Sequence, residues 1–98
     1  MNTQDFKDSI HERLTANCRL DGDCWIWTST IRRGQPVIKI AGVTVSAARA
    51  AFWVYRGDSE QFDLFADRRQ VHRVGCRNAR CVNFEHLEAV LQNRRQAA

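Results

Sequence analysis

The chain lacks any apolar run close to the roughly 18 residues that a membrane-spanning helix requires. Its first ten residues, MNTQDFKDSI, are polar and do not contain the apolar core of a secretory leader. Internal repeats and low-complexity segments are also missing. For a chain of 98 residues, these absences predict one domain (residues 1–98), no membrane partner, and a cytoplasmic location in which thiols stay reduced.

Lysine is scarce, with 2 Lys against 13 Arg. Arginine is the side chain best suited to bind phosphate and guanine through two parallel hydrogen bonds. The charge is also uneven, with a net −2 over residues 1–30 and +5 over residues 68–98. The C-terminal third is therefore the candidate nucleic-acid face. The plainer interpretation is a solvated basic surface.

The most informative segment is CRNARCVNFEHL, in which Cys76, Cys81 and His86 are separated by four residues each. Thiolate and imidazole are preferred ligands of Zn²⁺, and structural zinc takes four of them. The fourth ligand is Cys24 or Cys18. Cys24 is preferred because it borders the strand-like WIWT, whereas Cys18 lies at a helix end. The alternative is free, buried cysteines and a surface histidine. A metal suits so short a chain, since small domains often need a covalent or metal staple.

Hydrophobic periodicity predicts an α+β fold with about three helices and an antiparallel hairpin sheet. Ser46 is the expected N-cap of the second helix and Gly57 its expected C-terminal glycine. The predicted helices cover residues 3–17 (with 1–17 as the N-terminal helical segment), 47–56 and about 84–95. The predicted strands cover residues 25–28, 37–40, 43–45 and 70–74, and the predicted connectors and loops cover 18–23, 29–36 and 58–70.

The combination of CWIWT, a glycine-containing strand pair, an arginine-bearing helix and CxxxxCVNxxHL resembles the zinc-binding HNH and His-Cys box homing endonucleases of phages and mobile introns. The resemblance covers about residues 22–95. It implies a small, zinc-stabilised ββα-metal (His-Me finger) fold. It also implies one structural zinc whose ligands come from the tryptophan strand and the C-terminal knuckle. Those ligands are Cys24, Cys76, Cys81 and His86.

The resemblance places the general-base histidine at Val74, two residues before the first knuckle cysteine. The nearest histidine here is His72. A shift of two residues along a strand keeps the same face but moves the side chain by about 6.6 Å. A bulge near Gly75 would have to absorb that offset. The simpler interpretation of His72 is a surface histidine.

The Mg²⁺ ligand implied by the resemblance falls at Arg95, and Asn93 is offset from it by two residues. On a helix that offset is a rotation of about 200°, so the last helix would have to begin later for Asn93 to serve. The AHR segment of the family reads AAR at residues 47–49, which keeps Arg49. We therefore predict His72 as base, Asn93 as Mg²⁺ ligand and Arg49 as phosphate ligand. An exposed helix residue is the simpler interpretation of Asn93.

The expected partner is DNA, with a structural Zn²⁺ and, for a cleaving enzyme, Mg²⁺. The hairpin VIKIAGVTV of the family-like region would enter the major groove, with further phosphate contacts at the knuckle. The predicted nucleic-acid contacts are Arg32, Arg33, Lys39, Arg77 and Arg80.

The sequence predicts two alternative functions. One is a metal-dependent DNA endonuclease or nickase. The other is a catalytically inactive relative that acts as a phage or plasmid DNA-binding regulator or as a protein-partner module.

Overall fold

The computed structural model of the protein describes residues 3–74, 76 and 78–91. Over these residues the chain forms two helices, α1 (Thr3–Ala16) and α2 (Ala47–Glu60), and a 3₁₀ turn, η1 (Phe84–His86). The strands are β1 (Cys18–Asp21), β2 (Cys24–Trp27), β3 (Ile31–Arg32), β4 (Gln35–Ile40), β5 (Val43–Ser46), β6 (Gln70–Arg73) and β7 (Leu87–Val90). The described part of the chain is thus a small α+β domain. Neither of its helices has the length and apolar character that a membrane crossing requires.

The strands form three small antiparallel sheets, β1–β2, β3–β4–β5 and β6–β7. The predicted hairpin of residues 37–45 is confirmed and is longer than expected, since β4 begins at Gln35. Two predicted irregular segments are wrong. Residues 18–21 form β1, which pairs with the tryptophan strand, and Ile31–Arg32 forms β3 inside the predicted loop 29–36. Both strands are short and lie at sheet edges, so their sequences carry little alternation.

Helix α1 confirms the prediction made from apolar residues spaced every four positions. Ile10 and Leu14 are fully buried, and the Phe6 ring packs edge-to-face on Trp53 of α2 with centroids 5.7 Å apart. Lys7 also lies in this seam. Its ammonium group is 3.1 Å from the Asp58 carboxylate and 5.0 Å from the centre of the Trp53 ring. The first helix is therefore anchored to α2 through Phe6 and Lys7.

Helix α2 is the centre of the core, with Ala47, Ala50, Ala51 and Phe52 completely buried. Its predicted N-cap is confirmed, because the Ser46 hydroxyl accepts a hydrogen bond of 3.3 Å from the backbone N–H of Arg49. Small residues on the inner face let the strands approach the helix axis closely, while Phe52 fills the remaining space.

The predicted end of α2 at Gly57 is wrong. The helix continues to Glu60, and Gln61 is the C-cap in the left-handed conformation with φ 50°. Gly57 is instead buried inside the helix, where an added Cβ would lie 3.0 Å from Cδ1 of Trp53. The glycine therefore permits close packing of the Trp53 ring. Sequence alone does not separate this use of glycine from a cap.

The predicted third helix is wrong over residues 87–90, which form β7 after a single 3₁₀ turn. Leu87 is buried, Glu88 and Val90 are exposed and Ala89 is half-buried. That period-two alternation suits a strand, and β7 pairs with β6 in regular antiparallel register. Residues 92–95 of the predicted helix lie outside the described residues.

Candidate metal centre

Four metal-ligating side chains from distant parts of the chain meet at one point. Cys24 begins β2, Cys76 and Cys81 bound the knuckle, and His86 ends the 3₁₀ turn. Their ligand atoms, three Sγ and one imidazole nitrogen, all lie within 4.8 Å of one another. Cys81 is buried and the other three residues are half-buried. A Cys₃His group with this geometry can hold a metal ion.

The backbone, rather than the side chains alone, brings the knuckle to β2. Cys81 forms an antiparallel bridge with Ile26. The Trp27 N–H donates to the Arg80 carbonyl, and the Val82 N–H donates to the Trp25 carbonyl, each at 2.8 Å. These bonds make the end of the knuckle a short third strand beside β1–β2, which places Cys81 next to Cys24.

Asn83 has a structural role at the site that was not predicted from the sequence, where it was noted only as part of the CVNxxHL motif. It is buried, its side-chain amide donates to the Asp23 carbonyl at 2.6 Å, and its Oδ1 accepts from the Glu85 N–H at 3.0 Å. One side chain thus joins the residue before Cys24 to the turn that carries His86. The signal that could have revealed this role is an Asn at the N-cap position of a turn between two ligands.

Two of the distances between ligand atoms are close to those expected around a tetrahedrally coordinated ion. Cys81 Sγ lies 3.5 Å from His86 Nδ1, and Cys24 Sγ lies 3.9 Å from the same nitrogen. Ligands at 2.0–2.3 Å from a tetrahedral ion are about 3.3–3.8 Å apart. Cys24 Sγ and Cys76 Sγ are closer, at 2.8 Å. A bound ion would therefore increase the distance between these two sulfurs by about 1 Å. All four cysteines of the chain are free thiols.

The sulfurs of Cys24 and Cys76 share a hydrogen bond, which shifts the pKa values of the two thiols in opposite directions. The hydrogen bond between Cys24 and Cys76 raises the pKa of the Cys24 thiol to about 12 and lowers the pKa of Cys76 below its usual value. Burial adds to the rise at Cys24, whereas a backbone hydrogen bond from Asn78 adds to the fall at Cys76. In this pair the proton is therefore held more firmly by Cys24 than by Cys76.

Because Cys24 keeps its proton at neutral pH, we expect metal binding to release it. The apparent affinity should then rise about tenfold per pH unit for each proton displaced. A competition titration against a chromophoric chelator at pH 6, 7 and 8 measures the slope. The Cys18→Ser variant is the matched control and should keep the slope, since the raised pKa of Cys18, about 11, comes mainly from its own burial. An affinity that is constant across this pH range would contradict the shared-proton arrangement.

Cys18, the other candidate for the fourth ligand, is not part of the group. It lies on β1 opposite Trp27 and is half-buried. Hairpin pairing sets Asp21 opposite Cys24, so the two cysteines are at opposite ends of the same strand pair. The four residues named from the sequence are therefore the four that the structure brings together.

His72 is exposed on β6, with Glu88 as its cross-strand partner. It lines an open groove of about 320 Å³ together with Gln35, Ser46, Arg49, Gln70 and Val71. The β6–β7 ladder is regular, and it continues to Val74, whose N–H donates to the His86 carbonyl at 2.6 Å. No bulge absorbs the two-residue offset between His72 and Val74 in this stretch, and Gly75 lies outside the described residues.

Arg49 has a structural role that the sequence did not reveal. Its guanidinium donates to four backbone carbonyls of the loop after α2, at 2.5–3.1 Å, and stacks 4.7 Å above the Phe62 ring. The four carbonyls belong to Asp63, Leu64, Asp67 and Arg69. With its donors used in this way, Arg49 is not available to a phosphate, so the geometry disfavours the predicted phosphate role.

The remaining predicted residues divide into two groups. Arg32, Arg33, Lys39 and Arg80 are exposed, the first three on or beside the β3–β4 ribbon and the last in the knuckle. Arg77 and Asn93 lie outside the described residues, so their predicted roles stay predictions.

Comparisons with protein-family models, with curated proteins and with solved structures find no match to this chain. The class of protein is therefore defined by fold and site alone. It is a small α+β domain of antiparallel sheets whose Cys₃His group can hold a metal ion.

Proposed function

We propose that this protein is a zinc-stabilised DNA-binding domain of the ββα-metal type. The observation that carries the proposal is the convergence of Cys24, Cys76, Cys81 and His86 within 4.8 Å. Three thiolates and one imidazole are the donor set of structural zinc, and a fully protein-supplied quartet leaves no open coordination position for catalysis. The ion would join β2 to the β6–β7 hairpin, which are more than 40 residues apart in the chain.

The order of the C-terminal elements supports the ββα-metal assignment. β6 and β7 form an antiparallel hairpin, and the segment between them carries three of the four candidate ligands, Cys76, Cys81 and His86. β7 ends at Val90, and residues 92–98 lie outside the described part of the chain.

The distribution of exposed cations supports nucleic acid as the partner. The β3–β4 ribbon presents Arg32, Arg33 and Lys39 to solvent, and Arg80 extends from the knuckle. None of these four side chains forms a salt bridge in the described structure. Unpaired, exposed arginines on a two-stranded ribbon are suited to phosphate contacts on a duplex and to guanine in the major groove.

DNA cleavage is the second candidate function, and the exposure of His72 in a polar groove favours it. An exposed imidazole can take a proton from water that attacks a phosphodiester. A bound Mg²⁺ would stabilise the charge on the phosphate. Among the described residues that line this groove there is no carboxylate, and Arg49 is engaged by loop carbonyls. For these reasons we place DNA binding before cleavage.

One experiment tests both functions. The purified protein is incubated with supercoiled plasmid in Mg²⁺ or Mn²⁺ beside His72→Ala, and binding to a fluorescent duplex is measured by anisotropy. Salt-sensitive binding without nicking supports the DNA-binding domain. Metal-dependent nicking that disappears in His72→Ala establishes the enzyme. Absence of duplex binding at low salt contradicts the proposed function. Metal analysis that finds less than one zinc per chain contradicts the zinc assignment separately.

A further inference from the structure

A groove of about 270 Å³ lies between the end of α1 and the outer face of the β3–β4–β5 sheet. Its rim carries three cations, Arg13 from α1, Arg32 from β3 and Lys39 from β4. All three are exposed, and the described residues that line the groove include no carboxylate. Neutral hydrogen-bonding side chains fill the space between the cations. They are Asn17, Ser29, Thr30 and Thr44.

The walls of the groove are held in place by backbone hydrogen bonds. The loop between β2 and β3 is tied to the residue that follows α1, because the Thr28 N–H donates to the Asn17 carbonyl at 2.8 Å. The same loop is tied to the core and the sheet at Thr30, whose carbonyl accepts from the Trp27 indole at 2.9 Å and from the Val37 N–H at 3.0 Å. Such a site loses little conformational freedom when a ligand binds.

Arg13 is the cation that connects the helix to the sheet. Its Nη2 donates to the Lys39 carbonyl at 2.6 Å, which holds the guanidinium at the edge of β4. The other guanidinium nitrogens remain available to a ligand, since the described contacts of Arg13 use only Nη2. Arg13 thus adds a positioned charge to the two that the sheet supplies, from a helix outside the HNH-like region.

We propose that this groove binds the phosphate backbone of duplex DNA, with Arg13, Arg32 and Lys39 as its cationic contacts. The inference rests on the proposed function and extends it, because it assigns part of the DNA contact to α1. Three cations without a carboxylate, next to hydroxyl and amide donors, match the phosphate and sugar contacts that position a protein on a duplex. Anchoring there would place the β3–β4 ribbon against the same duplex.

The test is duplex binding by fluorescence anisotropy between about 50 and 200 mM salt for wild type, Arg13→Gln and Thr44→Glu. Arg13→Gln removes one phosphate contact. We expect a three- to tenfold weaker binding at about 100 mM salt, and a salt slope that is lower by about 1. Thr44→Glu keeps Arg13 and introduces a negative charge into the groove, so it should weaken binding at least as much. Arg19→Gln, an exposed arginine on β1 outside the groove, is the matched control and should bind as wild type does.

The outcomes separate the inference from the function on which it rests. If wild type binds duplex and both groove variants bind as Arg19→Gln does, the groove assignment is overturned while the DNA-binding function stands. If wild type binds no duplex, both fail. Binding to single-stranded RNA of the same sequence, without binding to duplex, overturns the choice of duplex DNA. Metal content and melting temperature are measured for each variant, so that a folding defect in Arg13→Gln leaves Thr44→Glu to decide.

Discussion

We expect Cys81→Ser to bind no metal ion at the Cys₃His group and to show no cooperative unfolding transition on heating. Cys81 is 1% exposed, and its sulfur lies 3.5 Å from His86 Nδ1. Serine keeps the size of the side chain but does not supply a thiolate to the ion. Structural zinc contributes about 10–16 kcal/mol in small zinc-dependent folds. That matches or exceeds the roughly 5–15 kcal/mol by which whole domains are stable.

The measurement is circular dichroism during heating, with the metal content of each sample determined in parallel. Removal of the ion from wild type by a strong chelator should reproduce the variant. Cys18→Ser is the matched control, since Cys18 is a half-buried cysteine outside the quartet. It should keep the metal and lose at most about 1 kcal/mol of unfolding free energy. Equal melting temperatures for the two variants would refute a metal-dependent fold.

Arg49→Lys is expected to lower the free energy of unfolding by about 2–4 kcal/mol. The lysine keeps the charge but cannot reproduce a planar fork that donates to four carbonyls of residues 63–69. At least two of those carbonyls would lose their partner, and the stacking on Phe62 would be lost as well. The loop carries Leu64, which is 2% exposed and belongs to the core, so the loss extends beyond the loop surface.

Urea unfolding of Arg49→Lys and of Arg68→Lys measures this effect. Arg68 is exposed in the same loop and should tolerate lysine without a measurable change. The pair also separates the two roles considered for Arg49. A structural role predicts lower stability with DNA affinity close to that of wild type under folding conditions. Unchanged stability with weakened DNA binding would restore the phosphate role predicted from the sequence.

The parts of the fold that sequence reasoning predicted correctly depend on contacts close along the chain. The spacing of Phe6, Ile10 and Leu14 is enough to predict α1, and Ser46 is enough to predict where α2 begins. The alternation of apolar and polar side chains is enough to predict the β4–β5 hairpin and β6. In each case the period of the side chains or a capping hydroxyl acts within a few residues, so no knowledge of the rest of the molecule is needed.

The errors occur where a residue has two local uses and a distant partner decides between them. Gly57 can end a helix or let an aromatic ring approach it, and Trp53 decides. Residues 87–90 can extend a helix or pair with β6, and β6 decides. Arg49 was assigned to phosphate by its place in a motif, yet the loop carbonyls that it binds are 14 to 20 residues away. Because these are backbone carbonyls, no residue type in the loop indicates that Arg49 binds there.

The sequence by itself determined the ligand chemistry of this protein. The knuckle supplies two cysteines and a histidine, and a further cysteine borders the tryptophan strand. These residues define a thiolate–imidazole donor set whatever the fold, because ligand type follows from residue type. Only the tertiary structure decided that Cys24, and not Cys18, lies beside the three knuckle residues. Cys24 and Cys76 are 52 positions apart, and they meet because the knuckle pairs with β2 through backbone bonds and Asn83 spans the gap to Asp23. Backbone groups are the same at every residue, so the backbone pairing that produces this convergence could not be deduced from side chains alone.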